Sequence, residues 1–277
     1  MSTPRVSIIV PVYNAGVFLE QALASARAQT FRDREVVVVD DGSTDPATLA
    51  ILARWAREPG FTVHHVPNGG PSRARNLAIE RSRGALVLPL DADDWLDPRF
   101  LEKTVPLLDG GPPAGVAYTW VGLVGAHHGT WETGGFSVRE LLARCTIHVC
   151  SLYRREVWEQ AGGYDPAFVE SCEDWDFWLS AVERGWEGRG VPEVLVYYRR
   201  TAQSRELTSR TEATSRRLMG GLVRKHRALY EAHLEDAMAG MYARLQAAGV
   251  ALERIYDHPV MRLAVKIRGL LRTRRPA

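Results

Sequence analysis

Four short runs of β-branched and apolar residues, separated by segments with helical spacing, set the strongest limit on the fold of this chain. The runs cover residues 5–10, 35–40, 61–66 and 85–90. Continuous apolar runs of this length are typical of strands that are buried on both faces of a parallel sheet. Between them, apolar residues recur at helical spacing, for example in 17–29 and 71–83. This alternation predicts an α/β fold in which right-handed crossovers build a three-layer sheet.

The rest of the chain indicates further strands and loops beside the sheet and a helical extension. Short runs of glycine and aromatic residues in 110–135 favour antiparallel strands and loops. Helical spacing returns in 154–160 and 174–184, and an apolar stretch at 191–198 predicts another strand. From about residue 212 the chain is helical in pattern and rich in Arg, Ala and Leu.

A break near 205–212 is the best candidate for a domain boundary. We therefore expect an α/β domain over residues 1–210, with a first half at about 1–110 and a second half at about 111–210. A helical, basic C-terminal extension is expected over 211–277.

Composition excludes several classes of protein. The 277 residues are 45% hydrophobic and 25% charged, which is close to the average for globular proteins. No apolar run reaches the roughly 18 residues of a membrane-spanning helix, and we expect no signal peptide because residues 1–5 lead directly into a strand. The three cysteines form no C-x-x-C pair, which favours buried thiols and a cytoplasmic location. A net charge of +2 gives no indication of a nucleic-acid partner.

Polar residues follow the first predicted strand. Pro11, Tyr13 and Asn14 come at its carboxyl end, where open α/β sheets bind ligands. An aromatic ring and an amide at that edge can stack on a base and hydrogen-bond to it. Alternatively, the segment is only a turn, because Pro and Asn are common turn residues.

An acidic segment, DDGSTD, follows the second predicted strand. Residues 43–45 are typical of a helix cap. Capping does not account for Asp40 and Asp41, whose carboxylates can accept hydrogen bonds from a pyrimidine N–H or from ribose hydroxyls.

The fourth predicted strand leads into a cluster of carboxylates. Asp91 and Asp93 are separated only by Ala92 and are followed by Asp94. Carboxylates at this spacing can point together at a hard divalent cation that also takes oxygens from substrate phosphates. Because like charges this close repel, the cluster needs a cation or remains solvated as an acidic loop.

Arginines mark the start of the helix predicted over 71–83. Arg73 and Arg75 lie in GGPSRARN, and a helix N-terminus also attracts anions. Either these side chains bind phosphate or they are simply solvated. The chain has no G-x-x-x-x-G-K-[ST] loop and no G-x-G-x-x-G after the first strand, so the common phosphate-binding loops are absent.

A further acidic pair, Glu173 and Asp174, precedes an aromatic helix. Carboxylates are favoured at a helix N-terminus by the helix dipole, which is the simpler interpretation. In the functional interpretation, Asp174 is a general base beside aromatic walls.

These segments, taken in order along the chain, resemble the inverting family 2 glycosyltransferases. The resemblance covers about residues 5–204 and rests on VSIIVPVYN, DDGSTD, GGPSRARN, LDADDW, SLYRREVWEQAGGYD and ESCEDWDFW. It implies the GT-A fold, a Rossmann-like α/β sheet joined to an acceptor-binding half. It also implies transfer of a sugar, with inversion, from a nucleotide-diphosphate sugar to an acceptor hydroxyl.

The resemblance also assigns roles to residues. Those implied to bind the donor are Pro11, Tyr13, Asn14, Asp40, Asp41, Arg73, Arg75, Asp91, Ala92 and Asp93. The nucleobase is often uracil, so a UDP-sugar is expected. Mg²⁺ or Mn²⁺ would be held by Asp93 and Asp91, with Asp94 sharing this role. Asp174 matches the catalytic base, with Glu173 facing the acceptor or supporting the base. His148 and Trp175 would line the acceptor side, although each is also typical of a partly buried core residue.

One position departs from the family pattern. Thr201 stands where relatives often carry a histidine, so either metal affinity is weaker or Arg199 or Arg200 acts instead. The absence of Q-x-x-R-W and of a membrane domain favours a single addition over processive synthesis. Two other functions stay open, a catalytically silent nucleotide-sugar binding protein and a nucleotidyltransferase. The latter should have a glycine-rich loop where this chain reads PVYNAG.

The end of the chain is basic. Residues 258–277 contain five arginines and one lysine but no acidic residue, and apolar residues are interleaved with them in 259–275. A basic amphipathic helix of this kind can lie on an anionic membrane surface, here the inner face of the cell membrane. It can equally pack on its own domain or on a second subunit. The membrane interpretation suits a lipid-linked or cell-envelope glycan acceptor.

Overall fold

A computed structural model describes residues 3–168, 171–201 and 211–257. Within these residues, nine strands form one mixed sheet. They are β1 (Val6–Val12), β2 (Arg34–Asp41), β3 (Phe61–Val66), β4 (Leu86–Pro89), β5 (Trp95–Leu96), β6 (Ala114–Gly125), β7 (Gly129–Trp131), β8 (Leu152–Arg154) and β9 (Glu187–Arg200). The basic segment 259–275 lies outside the described residues.

Helices connect and flank the strands. They are α1 (Phe18–Arg27), α2 (Pro46–Trp55), α3 (Pro71–Arg81), α4 (Phe100–Thr104), α5 (Val138–Ala143), α6 (Arg155–Ala161), α7 (Glu173–Glu183), α8 (Glu212–Lys225), α9 (Arg227–Ala232) and α10 (Leu234–Asp257). Short 3₁₀ helices lie at Val105–Leu108 and Pro166–Phe168. None of the described helices is both long and apolar enough to cross a bilayer.

The first four strands confirm the predicted parallel sheet. The strand order is β3-β2-β1-β4-β8-β6-β9-β5, with β7 paired to β6, and β1 to β4 run parallel. Ile8, Ile9 and Val10 of β1 are completely buried, as a strand covered on both faces requires. Because these strands are parallel, the loops that follow them meet at one edge of the sheet.

The glycine- and aromatic-rich segment predicted antiparallel strands beside the sheet, whereas its strands β6 and β7 belong to the same sheet, whose second half is mixed. β8 pairs antiparallel with both β4 and β6, and β7 forms an antiparallel pair with β6. The predicted strand at 191–198 is the longer β9, which runs parallel to β6 and antiparallel to β5. This arrangement brings the end of β9 next to the loop between β4 and β5.

The helices after residue 211 are tied to α7 by a buried polar cluster. Asp176, which is completely buried, lies 2.9 Å from Nε2 of His226 and accepts a hydrogen bond from Nζ of Lys225 at 2.8 Å. His226 is also buried, and its Nδ1 lies 3.0 Å from Glu183. Since a buried carboxylate is costly without such partners, the cluster fixes the end of α8 against α7.

We expect Asp176→Ala to lower the free energy of unfolding by about 3 kcal/mol, because it leaves buried partners without their carboxylate. Urea denaturation followed by circular dichroism measures this change. The matched control is Glu231→Ala, which removes the exposed ion pair of Glu231 with Arg227 and should leave stability nearly unchanged. Equal effects of the two substitutions would contradict the structural role of the cluster.

Candidate active site

Two cavities meet at the carboxyl edge of the parallel strands. The β1–β2 cavity, of about 950 Å³, is bordered by the loops after β1, β2 and β3, with Tyr13, Asp41 and Asn68 among its lining residues. The α7 cavity, of about 760 Å³, is bordered by the start of α7 and the segment after α5. Four residues line both cavities: Arg75, Asp91, Asp93 and Thr201.

The loop after β1 is held to the loop after β2. The Asn14 side chain accepts hydrogen bonds from the backbone N–H groups of Thr44 and Asp45 at 2.8 and 3.0 Å. Asn14 adopts a left-handed conformation with a φ of 46°, which asparagine tolerates better than most residues. Pro11, Tyr13 and Asn14 all line the β1–β2 cavity, and Tyr13 is 56% exposed. An exposed aromatic ring at this edge is available to a planar ligand.

The two aspartates at the end of β2 have different environments. Asp41 lines the β1–β2 cavity and accepts hydrogen bonds from the backbone N–H groups of Gly69 and Gly70 at 2.7 and 2.8 Å. Asp40 is buried, accepts from the Ser43 N–H at 3.0 Å and lies 2.8 Å from Nδ1 of His65. Asp40 therefore orders the loop behind the cavity wall.

Arg75 joins the two cavities through a buried pair of ionic contacts. Its Nη2 donates to Asp91 at 2.6 Å and its Nη1 to Glu173 at 2.9 Å, while only 1% of the residue is exposed. Burial alone would lower the pKa of this guanidinium, but Asp91 and Glu173 outweigh it and raise the pKa well above its ordinary value. Arg73 is exposed and lies on another face of α3, outside the residues that line either cavity.

The carboxylates after β4 separate into two groups. Asp91 and Asp93 line both cavities, and the buried Ala92 contributes to the wall of the β1–β2 cavity. Asp94 is completely buried and accepts a hydrogen bond from the Arg199 N–H at 2.9 Å. The structure therefore brings Asp91 and Asp93 together at the junction of the cavities and places Asp94 behind them.

Asp94 belongs to a buried cluster with His148 and Cys150. Its Oδ2 lies 3.6 Å from Nε2 of His148 and 4.0 Å from Sγ of Cys150. Burial, together with Asp93 and Asp91, raises the pKa of Asp94 well above its usual range, and burial lowers the pKa of His148 to about 4. The three buried side chains form a polar wall behind the acidic loop.

The acidic pair at the start of α7 is also divided. Glu173 is buried against Arg75, whereas Asp174 is half-buried and lines the α7 cavity. Asp174 accepts a hydrogen bond from its neighbour's N–H at 2.8 Å, and the Cys145 thiol lies 3.8 Å from its other oxygen. Burial and the charge of Glu173 raise the pKa of Asp174 to about 6. A carboxylate with this pKa is charged near neutral pH and is a stronger base than an exposed aspartate.

His148 and Trp175 both line the α7 cavity. The indole Nε1 of Trp175 donates to the Leu141 carbonyl at 2.6 Å, so the ring is fixed in position. The Trp131 ring, which also lines the cavity, meets the His148 ring edge-on with 6.2 Å between ring centroids. The cavity thus combines aromatic walls with the half-buried carboxylates of Asp91, Asp93 and Asp174.

Tertiary packing places three further arginines near the cavities. Arg199 donates from Nε to the Asp93 carbonyl at 3.0 Å and lies over the rings of Phe18 and Trp95 at 4.3 and 4.9 Å. Arg144 and Arg244 line the α7 cavity, although one hundred positions of sequence separate them. No local motif marks either residue, because tertiary packing alone brings them together.

Known proteins share this sequence pattern and this fold. The sequence profile described as Glycosyl transferase family 2 matches residues 7–162. TuaG of Bacillus subtilis, whose name assigns it to teichuronic acid biosynthesis, is 32% identical over 203 residues, which cover 71% of this chain and 79% of that protein. The uncharacterized protein y4gI of Sinorhizobium fredii is 32% identical over 218 residues, covering 76% of this chain. Those residues make up 24% of y4gI, so the chain spans only a quarter of that relative.

Solved structures show the same fold at low sequence identity. The crystal structure of S. aureus TarS 1-349 in complex with UDP-GlcNAc has a TM-score of 0.66 at 22% identity, covering 86% of this chain and 71% of that chain. The mannosyltransferase PcManGT from Pyrobaculum calidifontis, in complex with GDP-Man and Mn²⁺, has a TM-score of 0.58 at 20% identity, covering 97% of this chain and 85% of that chain. The fold is therefore of the GT-A type, and from the profile match over more than half of its length the chain belongs to glycosyl transferase family 2.

Proposed function

We propose that this protein transfers one sugar residue, with inversion and with a divalent cation, from a nucleotide-diphosphate sugar to an acceptor hydroxyl. The observation that carries the proposal is the junction of the two cavities. Asp91 and Asp93 line both cavities, whereas Asp174 lines the α7 cavity and not the β1–β2 cavity. Such a junction suits a reaction in which a donor on one side meets an acceptor on the other.

The β1–β2 cavity is the proposed donor site. Tyr13 offers an exposed ring for stacking on the base, and Asp41 offers carboxylate oxygens to a base N–H or ribose hydroxyl. A UDP-sugar is the favoured donor, supported by the binding of UDP-GlcNAc to the S. aureus TarS relative. The diphosphate would then lie towards Asp91, Asp93 and Arg75, where the two cavities join.

Asp93, together with Asp91, is the proposed binding site for Mg²⁺ or Mn²⁺. The donor atoms fit such a cation, because hard divalent metals prefer carboxylate oxygens and leave positions for phosphate. When bound, the cation neutralises the charge that grows on the departing diphosphate. Arg75 holds one oxygen of Asp91 at 2.6 Å and so fixes the orientation of this carboxylate.

Asp174 is the proposed general base. Its position on the wall of the α7 cavity lets it accept the proton of an acceptor hydroxyl as that oxygen attacks the sugar. A single displacement of this kind inverts the anomeric centre and needs no protein nucleophile. Glu173, held by Arg75, supports the base because its charge contributes to the raised pKa of Asp174. Alignment of the two substrates across the junction supplies much of the remaining rate.

The α7 cavity is the proposed acceptor site, and its volume of about 760 Å³ suits a short segment of glycan. Synthesis of a cell-envelope or surface glycan is the favoured setting, supported by the assignment of the TuaG relative to teichuronic acid biosynthesis. Single addition at the inner face of the cell membrane, on a glycan or lipid-linked acceptor, is part of the same proposal.

We expect Asp174→Asn to lower kcat by about 10²–10⁴-fold, because the amide cannot accept the hydroxyl proton. Donor binding should stay within about twofold of wild type, since Asp174 does not line the donor cavity. Turnover and donor affinity are measured with a panel of UDP-, GDP- and dTDP-sugars, and Glu159→Gln, an exposed substitution on α6, is the control. A wild-type protein that binds a donor but never turns it over would instead be a silent nucleotide-sugar binding protein.

For Asp93→Ala we expect a loss of metal-dependent donor binding. Titration of the donor with and without Mn²⁺ should show that the metal tightens binding to wild type by about tenfold or more and that the substitution removes this gain. Asp165→Ala, which removes an aspartate from outside both cavities, should retain the gain. If the wild type bound the donor equally well with and without Mn²⁺, this result would contradict the proposed metal site.

The raised pKa of Asp174 predicts a pH dependence. The base must be charged, so kcat should be constant above a pH of about 6 and fall about tenfold per unit below it. The profile is measured with saturating donor, acceptor and metal, and Asp174→Asn should lack this acidic limb. A profile that stays flat well below the ordinary range of an exposed aspartate would contradict the assignment.

A further inference from the structure

Among the described residues, four arginines line the α7 cavity, and two of them, Arg144 and Arg244, come from distant parts of the chain. Arg144 follows α5 directly, and Arg244 lies in the middle of α10. Neither lines the β1–β2 cavity, which is the proposed donor site. They add positive charge to a cavity that is also lined by Asp91, Asp93 and Asp174.

Packing of α10 on α5 brings Arg244 to this position. A Cβ atom added to Gly240 would lie only 2.9 Å from the Cβ of Ala143, so glycine permits the close approach of the two helices. One turn before Gly240, Asp236 lies 3.7 Å from Arg139 of α5, and one turn after it comes Arg244. Since residues four apart share a face of a helix, this face of α10 presents Arg244 to the cavity.

The guanidinium of Arg244 is also held in place. Its Nη1 donates to the carbonyl of Ala143, the last residue of α5, at 2.7 Å. A guanidinium has five N–H donors, so most of them remain for another partner. Arg144 is the next residue of the chain after Ala143. Both arginine side chains therefore lie at the same end of α5.

Neither arginine has an acidic partner within the described parts of the chain. No carboxylate of residues 3–168, 171–201 or 211–257 forms an ion pair with Arg144 or Arg244. Arg75, which lines the same cavity, is by contrast paired with two carboxylates. Arginine is the side chain best suited to carboxylate or phosphate, which it can bind through two parallel hydrogen bonds.

Both arginines line the same cavity as the proposed base, and Arg144 directly precedes a residue that contacts it. Cys145, which follows Arg144 directly, has its Sγ 3.8 Å from a carboxylate oxygen of Asp174. An anion bound by Arg144 would therefore belong to the sugar or polyol unit that carries the accepting hydroxyl, or to the unit next to it. Binding of an anion on this unit can orient the accepting hydroxyl towards the base.

We propose that the acceptor is an anionic glycan, and that Arg144 and Arg244 bind a carboxylate or phosphate on the unit at or next to the accepting hydroxyl. This inference rests on the proposed function, because it takes the α7 cavity as the acceptor site. It names the chemical class of the acceptor, which the cavity's carboxylates and aromatic rings do not specify.

The test compares transfer to three acceptors of similar size: a neutral disaccharide, the same disaccharide with a uronic acid at its acceptor end, and one with a phosphate there. Wild type should prefer an anionic acceptor in kcat/KM by about tenfold or more. Arg144→Gln and Arg244→Gln should each reduce this preference about tenfold. Arg254→Gln, a control substitution at an exposed position of α10, should retain it.

The acceptors and a separate donor assay distinguish the outcomes. Preference for the uronic acid or for the phosphate identifies which anion is bound, and either one supports the inference. Wild type that uses the neutral acceptor equally well, or a preference that survives both arginine substitutions, would overturn it while leaving the proposed transfer intact. A wild-type protein that neither hydrolyses any donor nor transfers to any acceptor would overturn the proposed function and this inference with it.

Discussion

The buried guanidinium of Arg75 sets the distance between the two halves of the site. It lies between Asp91, at the end of the parallel sheet, and Glu173, at the start of α7, with contacts of 2.6 and 2.9 Å. A buried arginine is costly without carboxylate partners, and the buried Glu173 is costly without the arginine. The acidic loop after β4 and the first turn of α7 are therefore held together. The guanidinium of Arg75 therefore fixes the position of the proposed metal ligands relative to the proposed base.

Much of the fold could be predicted because its pattern is local. Each buried strand of the parallel sheet reads as a continuous apolar run, and each intervening helix reads as an apolar stripe. Once the strands are parallel, the positions of Tyr13, Asp41 and Asp91 follow, because each lies at the end of a strand or just past it. The geometry of the sheet brings together residues that are up to 80 positions apart in the sequence. No other information is needed to predict that they lie close together.

The orientations of side chains in the site could not be predicted from the same pattern. Spacing does not reveal that Asp93 faces the cavities while Asp94 turns inwards, because the direction of each residue in a short loop depends on its neighbours. The same limit applies to Arg73 and Arg75, of which only the second is buried beside carboxylates. Asn14 and Asp40 order their loops through hydrogen bonds that no motif records. Arg144 and Arg244 line the same cavity only because α10 packs on α5.

The end of α5 has a consequence for the order of folding. Its last four carbonyls accept hydrogen bonds from the Arg144 N–H and from the side chains of Trp175, Tyr230 and Arg244, which belong to α7, α9 and α10. A helix of six residues is too short to be stable alone. It can become fully ordered only after these three later helices have docked on it. The sheet with its donor-side loops can thus form early, whereas the wall of the α7 cavity is completed in the last steps of folding.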